Sequence, residues 1–338
     1  MTNRLQDRRT FVRMLVASIT GAALPAIPSC SRAQRPSRPQ AGPITEFALP
    51  NPDSAPDDIV VGADGNLWFT ELKGNRIGRI TPEGQITEYP LPHAESGPRV
   101  TTLGPDRNVW FSQPAGNRIA RVTPAGIITE FTVPTPGCQP RSITALGAHI
   151  WFSENAINQI GRSTVDGEIT EFPLPAGAIP RGIVGGPDGN VWVAISGPKD
   201  SKILRVTSAG VVSGSFDTPT PMGGPAGIEV GSDGNIWFAE GPGNRIGRIT
   251  LTGVINEWEL PRPKSEPIFI RPGPDGHLYF GEFAGNRIGR ITTSGVIAEF
   301  DIPTPSCQPR GLRAGPDGAV WFCELAANKI GRLRISDR

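Results

Sequence analysis

Seven times along this chain an aromatic pair, or in one copy Trp192-Val193, is followed two residues later by a position that usually carries an acid. The occupants are Glu71, Gln113, Glu154, Ile195, Glu240, Glu282 and Glu324. A Pro stands about a dozen residues before each pair, and the residue after it changes from copy to copy: Asp57, Arg99, Arg141, Arg181, Ala226, Ile268 and Arg310. Glu266 and Gln308 add polar groups just before two of those prolines. Carboxylates set among guanidinium groups can hold a cation or orient a polar ligand. They can also pair with one another as a closed network.

The phrases must be brought together by something periodic. The central aromatic residues Trp68, Trp110, Trp151, Trp192, Trp237, Tyr279 and Trp321 are spaced by 42, 41, 41, 45, 42 and 42 residues. That period is the mark of a propeller made of four-stranded blades. Each unit supplies an apolar segment, an Asp-Gly type turn that favours a tight hairpin, the aromatic strand, a third strand such as "NRIGRIT" and a fourth such as "ITEYPLP". The fourth ends at Pro, which cannot donate into a ladder. Gly and Pro, 42 and 36 of 338 residues, would suggest disorder, but they recur at fixed places and so mark turns.

The sequence therefore predicts an all-β, seven-bladed β-propeller over residues 43–338. Blade 7 runs out after its third strand, at "KIGRLRISDR", while "ITEFALP" at 44–50 is a spare fourth strand ahead of blade 1. The N-terminal strand is expected to complete blade 7 and remove its open edge. Third-strand arginines (Arg79 and its equivalents) and fourth-strand glutamates (Glu46, Glu88, Glu130, Glu171, Glu257, Glu299) are expected to pair across strands as scaffolding.

In a blade the start of the first strand lies beside the end of the second. The residue after the Pro and the acid after the aromatic pair are thus expected to meet at one mouth of the central channel. Two cysteines of blade 7, Cys307 and Cys323, belong to that same mouth and are a possible disulfide; Cys138 is the blade 3 equivalent of Cys307. Blade 4, with "ISGPKDSKILRV", departs furthest from the repeat and is a possible ligand rim.

Residues 1–30 start basic, with Arg8 and Arg9 before Phe11, and continue as a short apolar run, the pattern of an export signal of twin-arginine type. Cys30 ends "AIPSC" and is a candidate for lipidation; residues 31–42 read as a flexible linker. An exported protein, periplasmic or extracellular, follows, with a membrane tether only through Cys30. Residues 1–42 hold seven Arg and one Asp, +6 of a total of +1, so the remainder carries about −5. A propeller of that sign has no electrostatic footprint for nucleic acid. A monomer acting on a small molecule is the expectation.

"SAPDDIVVGADGNLWFTELKGNRIGRITPEGQITEYPLP" and "GPDGAVWFCELAANKIGRL" resemble the virginiamycin B lyase (streptogramin lyase) family, and the likeness runs from residue 44 to 334. The resemblance implies an antibiotic-resistance enzyme: a propeller that opens a cyclic depsipeptide by elimination. A His base removes the proton α to the ester carbonyl, Mg²⁺ polarises that carbonyl, and the ester oxygen leaves. It implies metal-holding roles for Glu324 and for the position of Gln308, the base at the position of Arg310, and substrate contact at Ile268. Around these, Glu266, Glu282, Arg99, Arg141, Arg181, Asp57 and Glu71 are candidate substrate-binding groups. Arg cannot serve as the base, because it stays protonated. The three histidines are His93 in an outer connector and His149 and His277 at the opposite mouth.

Three readings follow. One is a C–O lyase acting on a cyclic or ester-containing compound without the family's His. The second is a non-catalytic propeller gripping an anionic ligand through its arginines. The third is a metal-dependent, lactonase-like hydrolase using metal-bound water.

Overall fold

The computed structural model describes residues 44–197 and 201–335. The export signal, the linker and Cys30 lie outside the described residues. Strands β1 (Ile44–Ala48) to β28 (Lys329–Arg334) are arranged in seven antiparallel sheets of four. Blade 1 runs β2 (Pro56–Val61), β3 (Leu67–Glu71), β4 (Arg76–Ile80), β5 (Ile86–Pro90) in spatial order. The first strands of the next five blades are β6 (Thr101–Leu103), β10 (Pro140–Leu146), β14 (Pro180–Gly185), β18 (Pro225–Val230) and β22 (Pro267–Pro272).

Blade 7 is built from both ends of the described chain. Its sheet order is β1, β28, β27 (Ala319–Glu324), β26 (Pro309–Ala314), with Ile44 opposite Leu333 and Ala48 opposite Lys329. The spare strand closes the ring as expected, and the ladder edge of β28 is paired.

Alternation along the second strand glues the blades. Phe69 faces back to Trp321 and Cys323 of blade 7, while Trp68 faces forward to Val109 and Phe111 of blade 2. The Asp-Gly turn is a three-residue loop: Gly62 N–H donates to the Asn66 carbonyl at 2.8 Å, and Gly65 takes φ +76°. Its Asp has a second task, because Asp64 accepts the indole N–H of Trp68 at 3.2 Å and Asp106 that of Trp110 at 2.9 Å. In blade 6 the Tyr279 hydroxyl bonds Asp275 at 2.9 Å instead.

The cross-strand Arg–Glu scaffold does not form as expected. Arg79 is opposite Thr87, whereas Glu88 is opposite Gly78, so the two side chains leave opposite faces of the sheet. Arg79 lies 5.6 Å from the Trp68 ring centroid, and Arg332 donates to the Pro82 carbonyl of the following blade at 2.9 Å. The arginines stack on the aromatic rings of their own blade and tie it to the next by a hydrogen bond.

Candidate functional site

Six of the seven first strands begin with an irregularity that aims a side chain at the axis. Pro56 is opposite Glu71, yet Ile59 is opposite Phe69, so Asp57 and Asp58 face a single residue, Thr70. Five other blades show a register shift at the same place. Such a bulge bends the strand and re-aims its side chains. Here it turns the residue after the Pro into the channel.

A hydroxyl from the preceding blade then fixes that backbone. Thr70 Oγ1 donates to the Arg99 carbonyl at 2.5 Å, Ser112 Oγ to that of Arg141 at 2.6 Å, and Ser153 Oγ to that of Arg181 at 3.3 Å. Thr70, Ser112 and Ser153 sit between the aromatic pair and the acid, so the repeat carries their signal. Blades 4, 5 and 6 have Ala194, Ala239 and Gly281 there and tether no such carbonyl by a hydroxyl.

The throat so formed is cationic. Asp57, Arg99, Arg141, Arg181, Ile268 and Arg310 all line it. Asp57, fully buried, sits 2.7 Å from Arg310 and 3.4 Å from Arg99. Arg141 and Arg181 have no acidic partner among the described residues, so four guanidinium groups share one carboxylate, a balance of +3. Burial, then repulsion from Arg99, Arg181 and Arg310, lowers Arg141 to about 10. Burial also lowers Arg310, against the pull of Asp57. Both remain charged at neutral pH.

Three residues further along the first strands is a second storey. Glu229 pairs with Arg271 at 3.3 Å and with Arg313 at 3.5 Å. Asp58, also buried, accepts from the Thr101 N–H at 2.8 Å. Desolvation raises Asp58 although Arg271 and Arg313 oppose it. Sequence reasoning missed this storey. Counting three residues on from each throat position would have found Glu229, Arg271 and Arg313, but only with the bulge known.

On one side of the throat, where blades 5 and 6 carry Ala226 and Ile268 in place of arginine, a cavity of about 410 Å³ opens. Arg141 and Arg181 form one wall and Ile268, Pro242 and Phe283 another, with the exposed Glu266 beside them. Phe283 also lies 5.9 Å from the Arg310 guanidinium. Ser196, from the irregular blade 4, contributes to the lining.

The acids after the aromatic pairs are elsewhere, and this corrects the expectation of a common mouth. Glu71, Glu154, Glu240, Glu282 and Glu324 are fully buried, and none of them lines the throat or the cavity. Because Phe69 and Glu71 are two residues apart, both face the preceding blade, under the connector that crosses from it. There each meets the fourth-strand acid of its own blade. Burial foremost, with Glu46 nearby, pushes Glu324 up to about 8; Glu154 and Glu240 also reach about 8 and Glu71 about 7. Glu282 is raised despite Arg287, 2.6 Å away. Burial therefore outweighs the nearby arginines at Glu71, Glu240 and Glu282, contrary to what a shared mouth would require.

Blade 2 shows what the pair is. Gln113 replaces the acid, and its Nε2 donates to Glu130 Oε1 at 2.7 Å, as a protonated carboxyl would. Blade 4 has neither acid, with Ile195 and Ser215 in their places.

The Mg²⁺ reading finds no fitting donors. Glu324 faces Glu46 and Lys329, and neither of its oxygens accepts a hydrogen bond. Among the described residues no three His, Cys, Asp or Glu side chains converge as a metal set. Gln308 is half-buried in the connector, at φ +54°, where its carbonyl accepts from Leu325. Cys307 and Cys323 are free and pack in different interblade cores, so no disulfide joins them. Cys138 is free as well. None of the histidines lines the throat or the cavity: His93 is bonded to Glu130, His149 begins the second strand of blade 3, and His277 sits in a hairpin turn.

With this geometry established, the chain can be set beside known proteins. A model described as the virginiamycin B lyase family matches residues 31–199 and 176–338. The chain belongs to the virginiamycin B lyase family. Virginiamycin B lyase from Staphylococcus aureus superposes with a TM-score of 0.81 at 39% identity, covering 87% of this chain and 99% of that one. A structure described as streptogramin B lyase gives 0.82 at 36% identity, covering 87% and 97%. A virginiamycin B lyase of Bacillus licheniformis is 54% identical over 41 residues, a match spanning 12% of this chain and 14% of that protein. A catalytically inactive His-to-Ala variant of the S. aureus enzyme has been solved with quinupristin, at 39% identity, a TM-score of 0.82 and coverage of 87% and 99%. Within a virginiamycin B lyase fold, then, this chain presents arginines at its throat and no imidazole.

Proposed function

We propose that the protein is a small-molecule-binding propeller of the virginiamycin B lyase family that takes an anionic ligand at the throat. The single observation that carries this is the pair Arg141 and Arg181, which face a ligand-sized cavity without an acidic partner among the described residues. Both arginines are half-buried, and a carboxylate satisfies the planar guanidinium fork with two parallel, charge-assisted hydrogen bonds. Cavities of this size suit small organic ligands. Export by the leader at residues 1–30 belongs to the same proposal, and cell fractionation with Arg8 and Arg9 replaced by Lys tests it.

A second reading, a C–O lyase acting on an ester-containing compound, is favoured by 39% identity across the whole propeller. β-Elimination of an ester takes a proton from carbon, breaks the adjacent C–O bond and releases a carboxylate. Arg141 and Arg181 would receive that carboxylate, and Glu266, the acid lining the cavity, would be the group that takes the proton.

One experiment separates the readings. Purified protein is incubated with quinupristin, with and without Mg²⁺, and the products are examined by mass spectrometry. The binding reading expects no linear product. Turnover that Glu266→Gln abolishes would establish the lyase reading instead. A saturable Mg²⁺ site lost in Glu324→Gln would overturn the conclusion that the donors do not fit.

A further inference from the structure

The throat and cavity together define a ligand more narrowly than its sign. We infer that it is an amphipathic monocarboxylate, its charged end on Arg141 and Arg181 and its apolar body over Ile268, Pro242 and Phe283. This rests on the anion reading above and goes further by assigning the rest of the molecule.

Three observations lead there. The ring of charged side chains is broken in one arc only: of the seven throat positions, Ala226 and Ile268 in neighbouring blades carry no charge, and the cavity opens over that arc. The wall across from the arginines is carbon, supplied by the two prolines Pro242 and Pro267, Ile268 and the Phe283 ring. An inorganic anion would leave that wall wet, whereas an aryl or branched alkyl group would cover it. Finally, Glu266 stands on the cavity beside Pro267. A second negative charge on the ligand's body would face this carboxylate at close range, and that like-charge contact disfavours dianions.

The orientation follows from the chain itself. The backbone carbonyls of Arg141 and Arg181 are held by the Ser112 and Ser153 hydroxyls, so the points from which both side chains leave the strand are fixed. Ala226 leaves room that a larger residue would fill. The arginines supply orientation, and the missing side chain in blade 5 supplies the volume.

The test is isothermal calorimetry on the full chain with four probes: 3-phenylpropionate, its uncharged amide, acetate and inorganic phosphate. 3-Phenylpropionate is expected to bind saturably, with the amide and acetate each at least about tenfold weaker. Arg181→Met should weaken 3-phenylpropionate by roughly tenfold to a hundredfold. Ala226→Leu should abolish the advantage of 3-phenylpropionate over acetate, and Ile268→Ser should reduce it without filling the cavity. Circular dichroism confirms that each variant is folded. If acetate or phosphate binds as tightly as 3-phenylpropionate and both cavity variants are silent, the amphipathic assignment is wrong while the anion reading stands. If none of the anions binds, the anion reading falls with it.

Discussion

Replacing Glu324 by Gln should stabilise the protein increasingly as pH rises from about 4.5 to about 8. In the native state the Glu324 carboxyl is fully buried and stays protonated up to about 8, chiefly because burial penalises its charge. Its neighbour Glu46 is lowered in spite of burial, since Lys329 bonds it at 2.9 Å and Thr304 at 2.7 Å. Blade 7 thus holds one ionised and one neutral acid. An unfolded glutamate ionises near 4.5. The raised native value means that the stabilisation is complete below 4.5 and is lost as pH climbs from there through about 8. Between those values the unfolded chain has released a proton that the native chain still holds. The slope is at most about 1.4 kcal/mol per pH unit. Water entry at higher pH would reduce the total, and roughly 2 kcal/mol is a reasonable expectation for the full span. Gln has no proton to lose and can donate to Glu46 as Gln113 does to Glu130. Urea unfolding of both proteins at five pH values from 5 to 9 should give curves that lie closest together at pH 5 and separate as pH rises to about 8. At pH 9 the variant should be ahead by about 2 kcal/mol, or a few degrees in Tm. Glu71, Glu154, Glu240 and Glu282 slope the parent curve too, but they cancel in the difference. Parallel loss of stability in both proteins would show that Glu324 carries no such proton.

Three further outcomes can be checked. Removing residues 1–49 takes away β1 and leaves β28 as an open edge, so the truncated chain should aggregate or melt far below the parent in a thermal scan. Arg310→Met leaves buried Asp57 with Arg99 alone, 3.4 Å away, and should cost about 3 kcal/mol in chemical denaturation. Thr70→Val removes the donor to the Arg99 carbonyl and the acceptor of the Asp58 N–H, costing about 2 kcal/mol in chemical denaturation, while Thr70→Ser, which keeps the hydroxyl that Ser112 and Ser153 supply in blades 2 and 3, should show a smaller loss.

The amino-acid sequence alone determined the ring. A period near 42 residues, turns at fixed offsets and a spare strand ahead of blade 1 leave one economical closure, and the structure has it. It also determined that a guanidinium, not an imidazole, occupies the position of Arg310, because that is a matter of identity at a register position. Which repeated residues share a wall was decided by tertiary structure. Glu324 and Arg310 both lie next to the channel in strand order, yet the bulge turns Arg310 inward, and strict alternation from Phe322 turns Glu324 toward the neighbouring blade. A bulge changes one residue's direction without changing any spacing, so no count of intervals could reveal it. The same holds for the carboxyl pairs. The raised proton affinity of Glu324 and its second-strand equivalents comes from desolvation beneath a connector packed over them, and burial of that kind exists only once the blades have closed.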